Sequence, residues 1–256
     1  MPGRALGAAG GAQGAPSKVT LRALLTREAP RLGLTAAAID QIVRQSQVTY
    51  WRAGQEIFSQ GESHDLVNFL VAGAVRVVCQ GFHHAPVVVQ IVRPAHFFGL
   101  GSLFDSPGPR LFGAVAHVDS VVAVMSQDAL NGVMAALPPG CALQVMAYSW
   151  RVLSRLLYEK CLQLTMPLRD RLVHELGILA HDFGERRDDG ILIDLPLTQG
   201  DLAALVVASR ANVSRCVVAL RRAGLLEFVG RRILLTSRFR SLGVDGTVPF
   251  GTRNRP

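Results

Sequence analysis

Cysteine is scarce and poorly placed for any framework. The four residues, Cys79, Cys141, Cys161 and Cys216, stand far apart with no CxxC pair, a pattern that argues against a disulfide-stapled fold or a four-cysteine cluster and for free thiols in a reducing compartment. Lysine is nearly missing: apart from Lys18 and Lys160, every basic side chain is an arginine. No stretch approaches the about 18 uninterrupted apolar residues that a membrane helix needs. The opening MPGRALGAAGGAQGAPSK lacks the continuous apolar core of a signal peptide. Residues 1–18 are therefore expected to be a flexible tail, and the cytoplasm is the expected compartment. Catalytic apparatus is absent as well. No phosphate loop and no serine or cysteine nucleophile motif occurs. His174-Glu175 and His181-Asp182 are neighbours whose side chains point about 100° apart on a helix, so neither reads as an arranged acid–base pair. The expectation is no enzyme, no catalytic residue and no metal site.

What is present is core material and a concentrated positive charge. With 256 residues and 49% hydrophobic content, the chain can bury one large or two modest cores. Its net charge is +8, and from Thr198 to the end ten arginines face only Asp201, Glu227 and Asp245. That excess coincides with a helix-turn-helix pattern. Thr198 with Asp201 three positions later is a capped helix start ahead of Leu202, Leu205 and Val206. Val207-Ala208-Ser209 forms a corner, and Ser209 is suited to cap a second helix from Arg210 to about Ala223, closed by Gly224. At about 100° per residue, Val213, Cys216, Val217 and Leu220 gather on one side of that helix. Arg210, Ala211, Ser214, Arg215, Val218, Arg221 and Arg222 gather on the other. Arginine forks, a hydroxyl and small apolar groups on one face suit a DNA major groove. The alternative is a surface helix whose arginines are simply solvated, with Arg221 and Arg222 complementing the helix end. Beyond Gly224, Leu225 to Val229 and Ile233 to Leu235 read as two strands around a Gly230-Arg231-Arg232 turn, a wing whose Arg231 and Arg232 would lie near phosphates.

The preceding chain changes character twice. Val19 to Gln47 is helical, with Thr35 as a second cap. Tyr50 to Ser126 breaks into short apolar runs punctuated by glycine, the mark of an antiparallel barrel or roll. From Pro139 to Thr165 comes the longest helical stretch. Leu143, Met146, Trp150, Leu153, Leu157 and Leu164 follow alternating three- and four-residue steps, broken at Lys160, which is the seam of a two-helix coiled coil. Val152, Leu156 and Leu162 form a second apolar flank, so the helix is expected to pack on its own roll and on a second copy of the chain. Pro167 ends it at a hinge, and Leu168 to Phe183 reads as a further helix.

In this order the parts resemble the bacterial CRP/FNR family of transcription regulators over roughly residues 45–243. The resemblance is carried by the Gly54–Glu62 run GQEIFSQGE, by FLVAGAVRV, by FFGLGSLF at Phe97–Phe104, by Ala114–Ala116, and above all by LTQGDLA and ASRANVSR. It implies an α+β chain: an antiparallel β-roll of the cyclic-nucleotide-binding kind at 19–137, a dimerisation helix at 138–166, a winged helix-turn-helix at 167–243 and a tail at 244–256. The implied molecule is a homodimer that binds a palindromic double-stranded DNA site under effector control, with RNA polymerase as a further candidate partner and no membrane.

Carried over residue by residue, the resemblance puts Arg210 and Arg215 on the family's base-reading arginines and Ser209 on the serine before them. Thr198 and Gln199 fall at the phosphate-contacting helix start. Ala211 replaces the family's common glutamate; an alanine cannot accept from cytosine N4 and instead suits a thymine methyl. The effector pocket implied is Phe98, Gly99, Leu100, Arg110, Leu111, Leu156 and Leu157. Leu100 stands where cyclic-AMP-binding members carry a ribose-binding glutamate, Leu111 where they carry a serine, and Leu156 and Leu157 where they present hydroxyls to adenine. Arg110 matches the phosphate-binding arginine, yet as a lone loop arginine it is expected to be solvated. An altered, more apolar effector, or none, is expected ahead of cyclic AMP. Cys79, His83, His84 and His96 raise a haem-type gas sensor as an alternative, although the family's haem ligands are not matched in Phe98-Gly99-Leu100-Gly101-Ser102 and His83 and His84 suit a solvated hairpin tip. A nucleotide-binding module acting on a protein is the other alternative.

Overall fold

The computed structural model describes residues 17–63, 65–81, 86–100 and 109–242, and the chain divides into two compact units, Met1–Val152 and Leu153–Pro256. The boundary falls inside the long helix.

The first unit opens with α1 (Lys18–Leu32), which Ser17 caps in a reciprocal capping box with Thr20. Ser17 and Lys18 thus belong to a helix and not to the tail expected at 1–18. Gly33, at φ 68°, turns the chain into α2 (Ala36–Gln45), capped by Thr35 through Ala38 N–H at 3.2 Å. Eight strands follow: β1 (Gln47–Trp51), β2 (Glu56–Phe58), β3 (Leu66–Ala72), β4 (Val75–Cys79), β5 (Val87–Val92), β6 (His96–Phe98), β7 (Gly113–Ala116) and β8 (Ser120–Ser126). They form two antiparallel sheets ordered β1-β8-β3-β6 and β2-β7-β4-β5.

The two-residue period of a strand explains how this roll is filled. On β3 and β8, Leu70, Val122 and Val124 point inward and meet Phe58, Val75, Val77, Val92, Phe98 and Ala114 from both sheets. The alternate residues Val67, Phe69, Val71, Val121, Ala123 and Met125 point outward under a helical cover of Leu21, Leu25, Ile39, Ile42, Leu130 and Tyr148. Both strands are therefore apolar on both faces, as doubly covered strands require. Part of that cover is α3 (Gln127–Ala135), capped by Ser126. Its short apolar pattern runs on from β8 and was not expected as a separate helix. Then comes α4 (Pro139–Thr165).

The second unit contains the last turns of α4, α5 (Leu168–Phe183), β9 (Gly184–Arg187), β10 (Gly190–Ile193), α6 (Gln199–Leu205), α7 (Arg210–Arg222), β11 (Leu226–Val229), β12 (Arg232–Thr236) and α8 (Ser237–Arg240). The wing expected as a two-stranded hairpin is half of a four-stranded antiparallel sheet, ordered β11-β12-β10-β9. The additional hairpin was hidden because β9, GERR, is charged and exposed throughout and so carries no apolar alternation. Register fixes it firmly: Gly190 pairs with Thr236 and Ile193 with Ile233. Leu172, Leu176, Ile193, Leu202, Val213, Leu220, Leu226 and Ile233 fill this unit's core.

Candidate nucleic-acid interface and effector-sensing roll

The corner between α6 and α7 is built by local chemistry. Thr198 Oγ1 accepts from Asp201 N–H at 3.1 Å while an Asp201 carboxylate oxygen accepts from Thr198 N–H at 2.9 Å, so two otherwise orphaned donors are satisfied reciprocally. At the corner Val207 is held at φ 51°, a region where a β-branched residue is strained. Arg171 of α5 donates to Val206 O at 3.0 Å and Gln163 of α4 to Leu205 O at 3.1 Å, anchoring the turn from two sides. Ser209 then caps α7 through Asn212 N–H at 3.2 Å. At the far end Leu225 N–H returns to Leu220 O at 3.1 Å across Gly224, at φ 68°, the bond that closes a helix in a left-handed cap. The two helices meet at 106°, within the range of a helix-turn-helix.

Rotation of α7 follows from which residues it buries. Val213, Val217 and Leu220 are buried, so Arg210, Ala211 and Arg215 face solvent and Ser214 is half-buried beside them. The Arg215 guanidinium donates to the Asn212 side-chain Oδ1 one turn back, which fixes its direction; Asn212 was not singled out in the sequence, because its alternative is a plain solvated amide. Thr198 is exposed and Gln199 half-buried at the start of α6. On the wing, Arg231 is exposed and Arg232 pairs with Asp194 at 3.0 Å. Arg232 is thus shared between a surface ion pair of small worth and any phosphate. No described helix is by itself long and apolar enough to cross a membrane.

The α4 seam is uncovered in a single chain. Leu143, Met146, Trp150, Leu153, Leu157 and Leu164 are between 50% and 86% exposed, while Cys141, Val145, Tyr148 and Val152 of the same helix pack on the roll's outer cluster.

Within the roll, the effector residues expected from sequence separate into two groups. Phe98, Gly99 and Arg110 converge with Phe58 and Asn68. The Arg110 guanidinium lies 3.9 Å over the Phe58 ring and donates to Leu66 O at 3.0 Å. Arg110 is only 7% exposed, which corrects the expectation of a solvated loop arginine; burial lowers its pKa, opposed by Glu62 and Asp65. Gly99, at φ 71°, is required here, since a Cβ would stand 3.0 Å from an Arg110 terminal nitrogen and 3.1 Å from the Asn68 amide nitrogen. That Asn68 nitrogen is buried with no hydrogen-bond partner among the described residues, a cost an incoming acceptor would relieve. The sequence hid Asn68 inside an apolar run. Leu100 and Leu111 do not join this group. Leu100 packs on the outer, helix-covered cluster, and Leu111 is 73% exposed, so neither lines the roll's interior. Leu156 is half-buried and Leu157 exposed on α4, in the second unit.

Of the haem-type candidates, His83 and His84 lie outside the described residues, as do Gly101 and Ser102. His96 uses both ring nitrogens, on Pro94 O at 3.1 Å and Arg31 at 3.3 Å, and Cys79 is a half-buried free thiol. Among the described residues no three histidine, cysteine or acidic side chains group for a metal.

A buried charged cluster joins α4 to α5 in the second unit. Arg155 bonds Glu159 at 2.7 Å and lies 3.9 Å from Asp182. Burial, with Glu159 and Asp182 nearby, pushes the Glu175 carboxyl up to about 7 despite Lys160 and Arg155. Burial also lowers the His174 pKa. His174 is half-buried and Glu175 buried; the exposed His181 meets its neighbour Asp182 at 3.0 Å, a contact that the step of about 100° between them did not suggest.

Comparison with known proteins agrees with this architecture. The cyclic nucleotide-binding domain family matches residues 48–136, and the Crp-like helix-turn-helix domain family matches 170–240. The CRP-like cAMP-activated global transcriptional regulator of Mycobacterium tuberculosis is 26% identical over 217 residues, 83% of this chain and 94% of that protein. The global nitrogen regulator of Synechococcus elongatus is 28% identical over 191 residues, 73% of this chain and 84% of its own length. Among solved structures, FixK2 from Bradyrhizobium japonicum superposes with a TM-score of 0.67 at 22% identity, over 79% of this chain and 98% of that one. The matched relatives are regulators and not enzymes. A nucleotide-type roll, a long helix and a Crp-type helix-turn-helix in this order make the chain a member of the CRP/FNR family of DNA-binding transcription regulators.

Proposed function

We propose that the chain acts in the cytoplasm as a homodimer that reads a palindromic DNA site with α7, under the control of a small effector sensed by the roll. The observation that carries this reading is the division of α7: Val213, Val217 and Leu220 are buried while Arg210, Ala211 and Arg215 are exposed. Arginine forks address guanine O6 and N7, and Ala211 accommodates a thymine methyl. Thr198, Gln199, Ser209, Ser214, Arg231 and Arg232 surround these positions as phosphate or base contacts, and RNA polymerase is a candidate partner once the site is occupied. Support for the dimer is the uncovered seam from Leu143 to Leu164.

The effector spot in the roll comprises Phe58, Asn68, Phe98, Gly99 and Arg110. The Mycobacterium relative is described as cAMP-activated. Here Arg110 and the free Asn68 donor favour an acceptor-bearing ligand, but the carboxylate that would hold a ribose is replaced by Leu100, which is turned away. An effector other than cyclic AMP is the reading these positions support. Footprinting with wild type, Arg210→Ala and Arg215→Ala tests the DNA half. Each variant is expected to lose about 1–3 kcal/mol of discrimination while remaining dimeric; variants that protect the same bases as wild type would place recognition on another face.

A further inference from the structure

Leu100 and Phe97, on the helix-covered side of the roll, line a cavity. It lies within the first unit and has a volume of about 130 Å³. Leu32 and Leu34 contribute one wall, Leu130 and Met134 of α3 another, and Val145 and Tyr148 of α4 a third. Among the described residues, its polar lining is Asn131, which is exposed, Ser149, which is half-buried and donates to Val145 O at 3.0 Å, and Tyr148.

Among the described residues, none that lines the cavity is charged. Behind its wall stands Arg31, whose guanidinium lies 4.8 Å over the Tyr148 ring. Arg31 is already committed to Glu28 at 2.8 Å and to Ala95 O at 3.1 Å. Among the described lining residues an anionic ligand would find no positive charge, and a buried unpaired charge is heavily penalised. An uncharged ligand meets no such cost. Size sets the other bound: an apolar protein cavity of about 150 Å³ takes up benzene rather than water, and this one is of that order.

We infer that this cavity is a binding site for small uncharged aromatic molecules, of benzene to indole size, held by Leu32, Leu34, Phe97, Leu100 and Tyr148. The inference rests on the proposed reading of the first unit as a sensing unit and adds to the spot inside the roll a separate, apolar ligand site outside it. Its walls belong to four helices, Ile42 supplying that of α2, and to the β6 edge, so occupancy would tie α1, α2, α3 and α4 together.

Titration of full-length protein with indole, followed by calorimetry and without DNA, tests it. One indole per chain is expected to bind with Kd below about 1 mM. Val145→Phe and Ser149→Phe each push a ring into the cavity from α4 and are expected to weaken binding by about tenfold or more in protein that keeps its circular dichroism and its melting transition. The use of two positions keeps the test decisive if one variant fails to fold. Absence of binding at several times that concentration, or equal binding by a folded filled variant, overturns the inference. Because the measurement contains no DNA, failure of the DNA reading would show only in the footprints and not here.

Discussion

Arg215 and Glu175 show two ways in which a single charged residue is set to work. Arg215 projects into water, where its neighbour Asn212 holds its direction, so its free energy is available to a ligand outside the chain. Glu175 is buried beside Glu159 and Asp182 and keeps its proton up to about pH 7, above its usual value of 4.5. The folded state therefore binds a proton that the unfolded chain releases. Its contribution to stability is complete below pH 4.5 and is lost as the pH rises to about 7, a cost of up to about 3 kcal/mol above that range. His174 acts in the opposite sense: burial lowers its pKa, so its contribution is lost as the pH falls below its usual value of 6.5. Glu175→Gln is expected to raise stability by about 1–3 kcal/mol at about pH 8 and to change little near pH 4.5. Urea unfolding at both pH values checks this, and an equal gain at both would mean that shape rather than charge was responsible. Val207 offers a second residue-scale test. Its positive φ costs about 1 kcal/mol or more, and Val207→Gly is expected to recover part of that in thermal unfolding without changing the α6–α7 angle.

At the scale of elements, α4 carries the prediction with the largest effect. Six apolar side chains along one stripe are exposed in a single chain, more than a monomer leaves unpartnered on one helix. Leu153→Asp combined with Leu157→Asp is expected to yield monomers by sedimentation, and an unchanged sedimentation coefficient would relocate the interface. The elements also differ in how well they could be read in advance. The capped starts of α2, α6 and α7 were legible because Thr35, Thr198 and Ser209 act through bonds spanning only three residues. The wing was half legible, since β11 and β12 carry apolar residues whereas β9 is all charge and glycine. The cluster of Asn68, Gly99 and Arg110 in the roll was least legible. Whether Leu100 faces the interior of the roll or the helices depends on a backbone turn at Gly99, and Asn68 is polar in the middle of an apolar strand. Arg110 was misjudged because its burial comes from Phe58, which is far away in sequence.

For the whole molecule, the decisive asymmetry is electrostatic. Seven of the eight net positive charges lie in the last 59 residues, with α7 and the wing among them. DNA affinity should accordingly fall by about 10³-fold or more between ~50 and ~200 mM salt as phosphate counterions are released. A flat response by anisotropy would detach α7 and the wing from the phosphate backbone.

The most direct measurement of the central claim, two-fold sequence-specific recognition by α7, is to sequence the genomic fragments retained by the purified full-length protein, with and without cyclic AMP. The expected result is enrichment of an inverted repeat whose half-sites lie about 34 Å apart, one turn of the duplex, insensitive to the nucleotide and lost in Arg210→Ala and Arg215→Ala. Enrichment of no common sequence by wild type, or an identical motif retained by both variants, would contradict it.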